Sequence, residues 1–325
     1  MKILVIQLRQ LGDVLLSSSI PRAIKTVYPQ VKVDFLTSKA AKDILTLNPY
    51  IDNLITLKNG FLEEAKAWIT IRKQKYDAIL DLQRTARSQR ITLFSNAKIR
   101  AAFFKKGTNL FYNTLIQQTF KDYTTFERLE ILKAVGIENP PKFMPELYFN
   151  QKDKAFILNY LQSKNIKNYF VVSPTARKTH KMWSAEEFGK LSKKIAETFK
   201  LTPIIIYGSD KEKPIASICR KFSGGILIEK PFTIKQTAAL IKDAFCVVGN
   251  DSFVCHIGVS QKTKTAVIGG PTGGWFLEND KTKVFYKGLD CQPCNNPKNC
   301  PYNLKCYRDL KHTEIADRVI EFLSN

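Results

Sequence analysis

The chain has 325 residues, with 51 Lys+Arg against 29 Asp+Glu and a formal net charge of +22. At roughly 100–200 residues per domain, this length predicts two domains, each able to bury a core. Its 44% apolar, 11% aromatic and 25% charged residues exclude a disordered or collagen-like chain, and apolar runs such as 3–6 and 204–206 fall far short of the ~20 residues that cross a bilayer.

From the N-terminus, Met1-Lys2-Ile3-Leu4-Val5-Ile6-Gln7 has a brief apolar run and no small-residue cleavage site. It reads as a first strand, and a soluble, cytosolic protein is expected. Strands at 3–7, 32–36, 53–57 and 78–82 then alternate with helices at 14–28, 40–47 and 62–75. Such alternation predicts a parallel sheet between helices. A polar, proline-containing stretch at 138–145 interrupts the pattern, which restarts with a helix at 152–163. Strands at 169–173, 203–207, 226–229, 246–249 and 265–268 follow, with helices at 185–199, 215–222, 234–242, from Ser252, and at 313–323. The expectation is an α/β protein of two Rossmann-like domains facing across a cleft, 1–150 and 151–310, with 311–325 as a C-terminal helix. Ligands of such sheets collect where strand ends lead into helix N-termini.

The positive charge favours an anionic partner. Between Lys58 and Lys121 stand thirteen Lys/Arg against four Asp/Glu, with Arg84, Arg87 and Arg90 at helical spacing, which predicts a basic face on the first domain. No zinc-finger, RNP or basic-zipper pattern accompanies it, so nucleic acid is not an expected partner.

Four loops carry candidate chemistry. The first strand ends in Arg9-Gln10-Leu11-Gly12-Asp13; Gly12 permits close backbone approach, and Asp13 at the helix start either caps the helix or serves as a general base, two compatible roles. The second half opens with Ser173-Pro174-Thr175-Ala176-Arg177-Lys178-Thr179-His180-Lys181-Met182-Trp183, whose hydroxyls and cations suit phosphate oxygens. In Gly249-Asn250-Asp251-Ser252-Phe253-Val254-Cys255-His256, helix-start N–H groups and the Ser252 hydroxyl form a diphosphate cradle. Asp251 repels phosphate and suits sugar hydroxyls; His256 is an anion donor or a core histidine. Gly269-Gly270-Pro271-Thr272-Gly273-Gly274 offers bare backbone beside them. The chain has no P-loop and no D-x-D pair to hold a divalent metal.

Leu11-Gly12-Asp13-Val14, Ser173-Pro174-Thr175 with Lys181-Met182-Trp183, and Asn250-Asp251-Ser252 with His256 and Gly270-Pro271-Thr272, in this order over residues 1–320, resemble glycosyltransferase family 9, the ADP-heptose:lipopolysaccharide heptosyltransferases. The resemblance implies a GT-B fold and an inverting, metal-independent transfer. Heptose would pass from ADP-L-glycero-D-manno-heptose to a Kdo or heptose hydroxyl of the lipopolysaccharide inner core, at the anionic cytoplasmic face of the inner membrane, without a cofactor. It implies Asp13 as the base, Thr175 and Lys181 on the donor phosphates, Asp251 on the sugar, Ser252 and His256 at the diphosphate, and Glu212 as a further donor contact. Arg177, Gly270 and Thr272 complete the expected donor site, and Gly12, Arg84 and Arg87 the acceptor side. Relatives usually carry Asp-Thr-Gly where this chain has Asp251-Ser252-Phe253, and Ala176 replaces a second hydroxyl residue. Both departures bear on the identity of the sugar or nucleotide. The alternatives are a member using another nucleotide sugar, an epimerase-like hydrolase of its donor, and a nucleotide-sugar or polyanion binding protein without turnover.

Cys291, Cys294, Cys300 and Cys306 lie within 16 residues among Pro293, Pro297 and Pro301. They suggest a closed structural metal site, with reduced free thiols or a redox-sensitive loop equally open. Similar cysteines recur in some members of the family this chain resembles, and the resemblance implies an architectural loop apart from the reaction centre.

Overall fold

The computed structural model describes residues 1–58, 60–119 and 122–325. Lys121, counted above in the basic stretch, lies outside the described residues. The chain divides into two compact units, Met1–Tyr148 and Phe149–Asn325.

In the first unit, β1 (Lys2–Ile6), β2 (Lys32–Ser38), β3 (Asn53–Leu57), β4 (Ala78–Asp81), β5 (Ile99–Phe103) and β6 (Thr114–Ile116) form a sheet of order β3-β2-β1-β4-β5-β6. All its pairings are parallel. In the second, β7 (Tyr169–Ser173), β8 (Thr202–Ile205), β9 (Ile226–Leu227), β10 (Cys246–Asn250), β11 (Lys264–Ile268) and β12 (Thr282–Phe285) form a parallel sheet of order β12-β11-β10-β7-β8-β9. Both sheets start at a central strand, run outward to one edge, and return to fill the other side. The point of reversal lies between β1 and β4 in one and between β7 and β10 in the other, where open α/β sheets bind their ligands.

The central strands are continuous apolar runs because both their faces are covered. Ile3, Leu4, Val5 and Ile6 are all fully buried, as are Val171, Val172, Val247 and Val248. Each such side chain contributes about 1.5–3 kcal/mol relative to exposure. In the first unit, Leu4, Ile6, Leu36, Leu57, Ile71, Ile79 and Ile91 join β1–β4 and the helices Phe61–Lys73 and Ala86–Phe94 in one cluster.

Two expectations are corrected. The helix expected over 14–28 is two helices, Leu11–Leu16 and Ile20–Val27, separated by the buried Ser17-Ser18-Ser19. Pro21, in the first turn of the second helix, lacks an N–H and would clash with the Ser17 carbonyl in a continuous helix. The freed serines bond elsewhere: Ser17 donates to the Asp13 carbonyl (2.9 Å) and Ser18 accepts the Glu146 N–H (2.7 Å). At the C-terminus the helix is Ala316–Ser324, preceded by a 3-10 turn at His312–Glu314.

Candidate active site

In the first unit, β1 leads through a short turn into helix Leu11–Leu16, with Gly12 and Asp13 in its first turn. The Asp13 carboxylate does two things. Its Oδ2 accepts the Gln10 N–H at 3.2 Å, the capping bond, and its Oδ1 accepts from Arg128 Nη2 at 2.6 Å. Arg128 comes from helix Thr124–Leu129 and is the more enclosed partner, its side chain 12% exposed against 30% for Asp13. Burial pushes the guanidinium down from its usual pKa, opposed first by the charge of Asp13. The turn itself is fixed by Gln83, whose Oε1 accepts from Leu8 N (3.0 Å), Arg9 N (2.8 Å) and Gln7 Nε2 (2.9 Å).

At the end of the neighbouring β4, Asp81 is fully buried. It accepts from Gln83 N (2.9 Å), Arg84 N (3.1 Å) and Tyr112 Oη (2.6 Å). Burial pushes its carboxyl pKa up. The basic row expected at 84, 87 and 90 is not assembled. Arg84 precedes helix Ala86–Phe94, has a left-handed backbone (φ 50), and turns its guanidinium onto the Phe103 and Phe104 carbonyls. Arg87 donates to the Lys58 carbonyl and lies 3.5 Å from Glu64, which Arg90 grips with both ends of its fork at 2.7 and 3.1 Å. Glu64, 6% exposed in its side chain, thus draws two of the three arginines together.

In the second unit, three expected loops meet at one carboxylate. Asp251, following β10, accepts with Oδ2 from Lys181 Nζ and from Thr272 Oγ1, both at 2.6 Å. The register that permits this is set by Asn250. It is fully buried, its Nδ2 donates to the Pro174 carbonyl and its Oδ1 accepts the Trp183 N–H, each at 2.9 Å, pinning the β7 loop to the end of β10. Lys181 Nζ also stands 5.4 Å from the Trp275 ring centre. A second pair forms one strand over: Thr175 Oγ1 donates to Glu212 Oε2 at 2.9 Å, and the same oxygen accepts the Gly208 N–H at 2.8 Å. Arg177 is exposed on the β7 loop. The His180 imidazole on the same loop is pushed down first by burial and then by Lys178, Lys181 and Lys298.

Ser252 caps helix Phe253–Gln261 positionally, and its Oγ is enclosed without a hydrogen bond among the described residues. His256 is buried and stacks on Phe276, ring centres 4.4 Å apart and 9° from parallel. A cavity beside Asp251 is lined by Thr272, Trp275, Phe276, Glu278 and Tyr286. Burial pushes the Tyr286 phenol up to about 12, with Asp251 adding to it. Trp275, Phe276 and Tyr286 were not singled out from sequence; the aromatic pair directly after Gly273-Gly274 was the available signal.

Gly270 has another use than bare backbone for a ligand: a Cβ there would lie 2.2 Å from the Tyr307 ring, whose hydroxyl donates to the Ile268 carbonyl. At Gly273 a Cβ would lie 2.4 Å from Pro293. The cysteine-bearing loop therefore braces the glycine-rich one, with Gln292 Nε2 donating to the Gly270 carbonyl (3.1 Å) and Asn295 N to Pro271 O (2.8 Å). All seven cysteines are free thiols, and burial pushes Cys306 up to about 11, with Cys300 and Cys294 adding to it. Among the described residues no three His, Cys, Asp or Glu side chains gather to hold a metal, so the four-thiol site is not assembled.

The family model Glycosyltransferase family 9 (heptosyltransferase) matches residues 65–303. The chain belongs to this family. It is 25% identical over 273 residues to the lipopolysaccharide core heptosyltransferase OpsX of Haemophilus influenzae, covering 80% of this chain and 76% of that protein. It is 22% identical over 353 residues to lipopolysaccharide heptosyltransferase 1 of Campylobacter coli, covering both in full. The structure of the Escherichia coli ADP-heptose lipopolysaccharide heptosyltransferase II superposes with a TM-score of 0.81 at 17% identity, over 100% of this chain and 99% of that one. This family 9 glycosyltransferase has the expected α/β GT-B fold of two six-stranded parallel sheets. Its Asp13, Thr175, Lys181, Asp251 and Ser252 all follow the carboxyl ends of strands beside a point of sheet reversal.

Proposed function

We propose that this glycosyltransferase moves heptose from ADP-L-glycero-D-manno-heptose to a Kdo or heptose hydroxyl of the lipopolysaccharide inner core, inverting the anomeric carbon without a metal. The observation that carries the reading is the convergence of Lys181 and Thr272 on Asp251 at the strand ends of the second unit. The names of the relatives favour the ADP-sugar and the lipopolysaccharide acceptor.

In this mechanism residues 1–150 take the acceptor and 151–310 the donor. Asp13 accepts the proton of the acceptor hydroxyl as its oxygen attacks the anomeric carbon, and the bond from that carbon to the ADP oxygen breaks. The electron pair leaves on the diphosphate, where Lys181, Arg177, the Ser252 hydroxyl and the N–H groups opening helix Phe253–Gln261 take up the charge. Asp251 and Thr272 hold the sugar hydroxyls, and Thr175 with Glu212 the remainder of the donor. Gly12 and Arg84 serve the acceptor side, while Arg87, tied to Lys58 and Glu64, acts there by shaping the loop.

No helix among the described residues is long and apolar enough to cross a membrane. Peripheral contact with the anionic membrane face would then rest on Lys58, Lys98, Lys105 and Lys106, all exposed, and would weaken with salt.

The test is incubation with ADP-heptose, with and without heptose-deficient lipopolysaccharide, in EDTA. Acceptor-dependent ADP release and heptosylated product are expected. Release without acceptor would mark a donor hydrolase, and binding with no release a protein without turnover.

A further inference from the structure

We propose that Arg128 is a positioning residue that holds the Asp13 carboxylate in its working orientation without touching substrate, an inference that rests on the reading of Asp13 as the base. One guanidinium grips Asp13 twice. Nη2 donates to the carboxylate Oδ1 at 2.6 Å and Nη1 to the Asp13 main-chain carbonyl at 3.1 Å. Because the guanidinium is a rigid plane, holding a residue's backbone and side chain together removes the freedom of that side chain to rotate. Nη1 also reaches Ser17 Oγ (2.8 Å) and Gln7 Oε1 (3.1 Å), the residues bracketing the turn and first helix. The Gln10 N–H takes the second carboxylate oxygen. An ionised carboxylate has about four acceptor positions, so two bonds fix its plane and leave capacity for an incoming proton.

The anchor is itself anchored. Helix Thr124–Leu129 is pinned by Glu127, which accepts from Thr119 Oγ1 (2.6 Å) and Asp122 N (3.0 Å). Among the described residues Asp13 is the one carboxylate ion-paired with Arg128, so the cation, buried behind it, has no other counter-ion. The other charged or titratable neighbours of the pair are Arg84 and Tyr123. Lys39, Lys42 and Asp43, on the segments packed against helix Leu11–Leu16, are exposed and screened by solvent.

The experiment compares R128M and R128K with the parent chain, each checked for folding by thermal denaturation, by kcat and donor KM. R128M is expected to lower kcat by about 10–100-fold with donor KM changed less than about 3-fold. R128K, keeping the charge but not the fork, should recover part of kcat. If R128M does not fold, R128K carries the test: kcat lowered at least several-fold with donor KM near its parental value supports the proposal. Parental kcat, or a loss of kcat matched by a comparable rise in donor KM, overturns it in favour of a structural arginine. D13N separates the two readings. An active D13N removes the base and this proposal with it, whereas an inactive D13N beside an unperturbed R128M removes only the proposal.

Discussion

Lys181 Nζ sits 2.6 Å from Asp251 Oδ2, and Thr272 Oγ1 sits 2.6 Å from the same oxygen. The cation assigned to the leaving diphosphate is therefore paired with the carboxylate assigned to the sugar. Lys181→Ala should cost both ADP affinity and turnover, about 10²–10³ in kcat/KM. Asp251→Asn should leave ADP binding equal or tighter, because the lysine loses its internal counter-ion, while the preference for ADP-heptose over ADP disappears. Calorimetric titration with the two nucleotides checks this; weaker ADP binding in the Asn variant would contradict it.

Asp13→Asn keeps the shape of the side chain and most of its hydrogen bonds but removes the proton acceptor. Transfer should fall by at least ~10², and donor affinity should stay within about 3-fold, read from ADP-heptose titration beside initial rates. Unchanged transfer would take Asp13 out of the chemistry.

Asn250→Ala strands the Pro174 carbonyl and the Trp183 N–H, both now satisfied by one buried amide. At about 1–3 kcal/mol for each orphaned buried group, the loss should total about 2–6 kcal/mol. Urea denaturation measures it, and loss of ADP binding before unfolding would show that the β7 loop has been released.

Glu187, in helix Ala185–Phe199, accepts from the His312 N–H (2.7 Å) and faces its Nδ1 (2.8 Å), tying down the C-terminal segment. Burial pushes its carboxyl up, but the His312 hydrogen bonds, with Lys190, outweigh this and hold it below its ordinary value. A depressed carboxylate stabilises the fold above its unfolded pKa of about 4.3, and that contribution is lost as pH falls through the folded value. Glu187→Gln should therefore lower the urea midpoint at pH 7, with the difference shrinking below about pH 4. A difference that persists unchanged in acid would refute the charge argument.

The central strands were readable because burial on both faces leaves unbroken apolar runs, as in Ile3–Ile6. β5, β6 and β12 were not read. β5 places Arg100 before two alanines, β6 is a three-residue edge strand, and β12 carries Lys283. Pro21 is the local signal of the break at the three serines, set between apolar stretches whose periodicity alone reads as one helix. The candidate site residues legible in the sequence lie in the loops and first helical turns that follow strands, where local pattern is informative. Arg128 lies 115 residues from its partner, and no local feature marks a residue that acts through tertiary contact alone. Cysteine spacing likewise does not say whether the thiols converge, and among the described residues they do not gather to hold a metal.

The strand order of the two units is the same, a central strand followed by two outward and three returning on the other side. One blueprint has been built twice, and in the proposed mechanism the proton acceptor of the first copy and the diphosphate site of the second are both carried by residues that follow strand ends. If that mechanism holds, exchanging the short segments after β7, β10 and β11 should change the donor accepted while the sheet beneath them keeps its strand order.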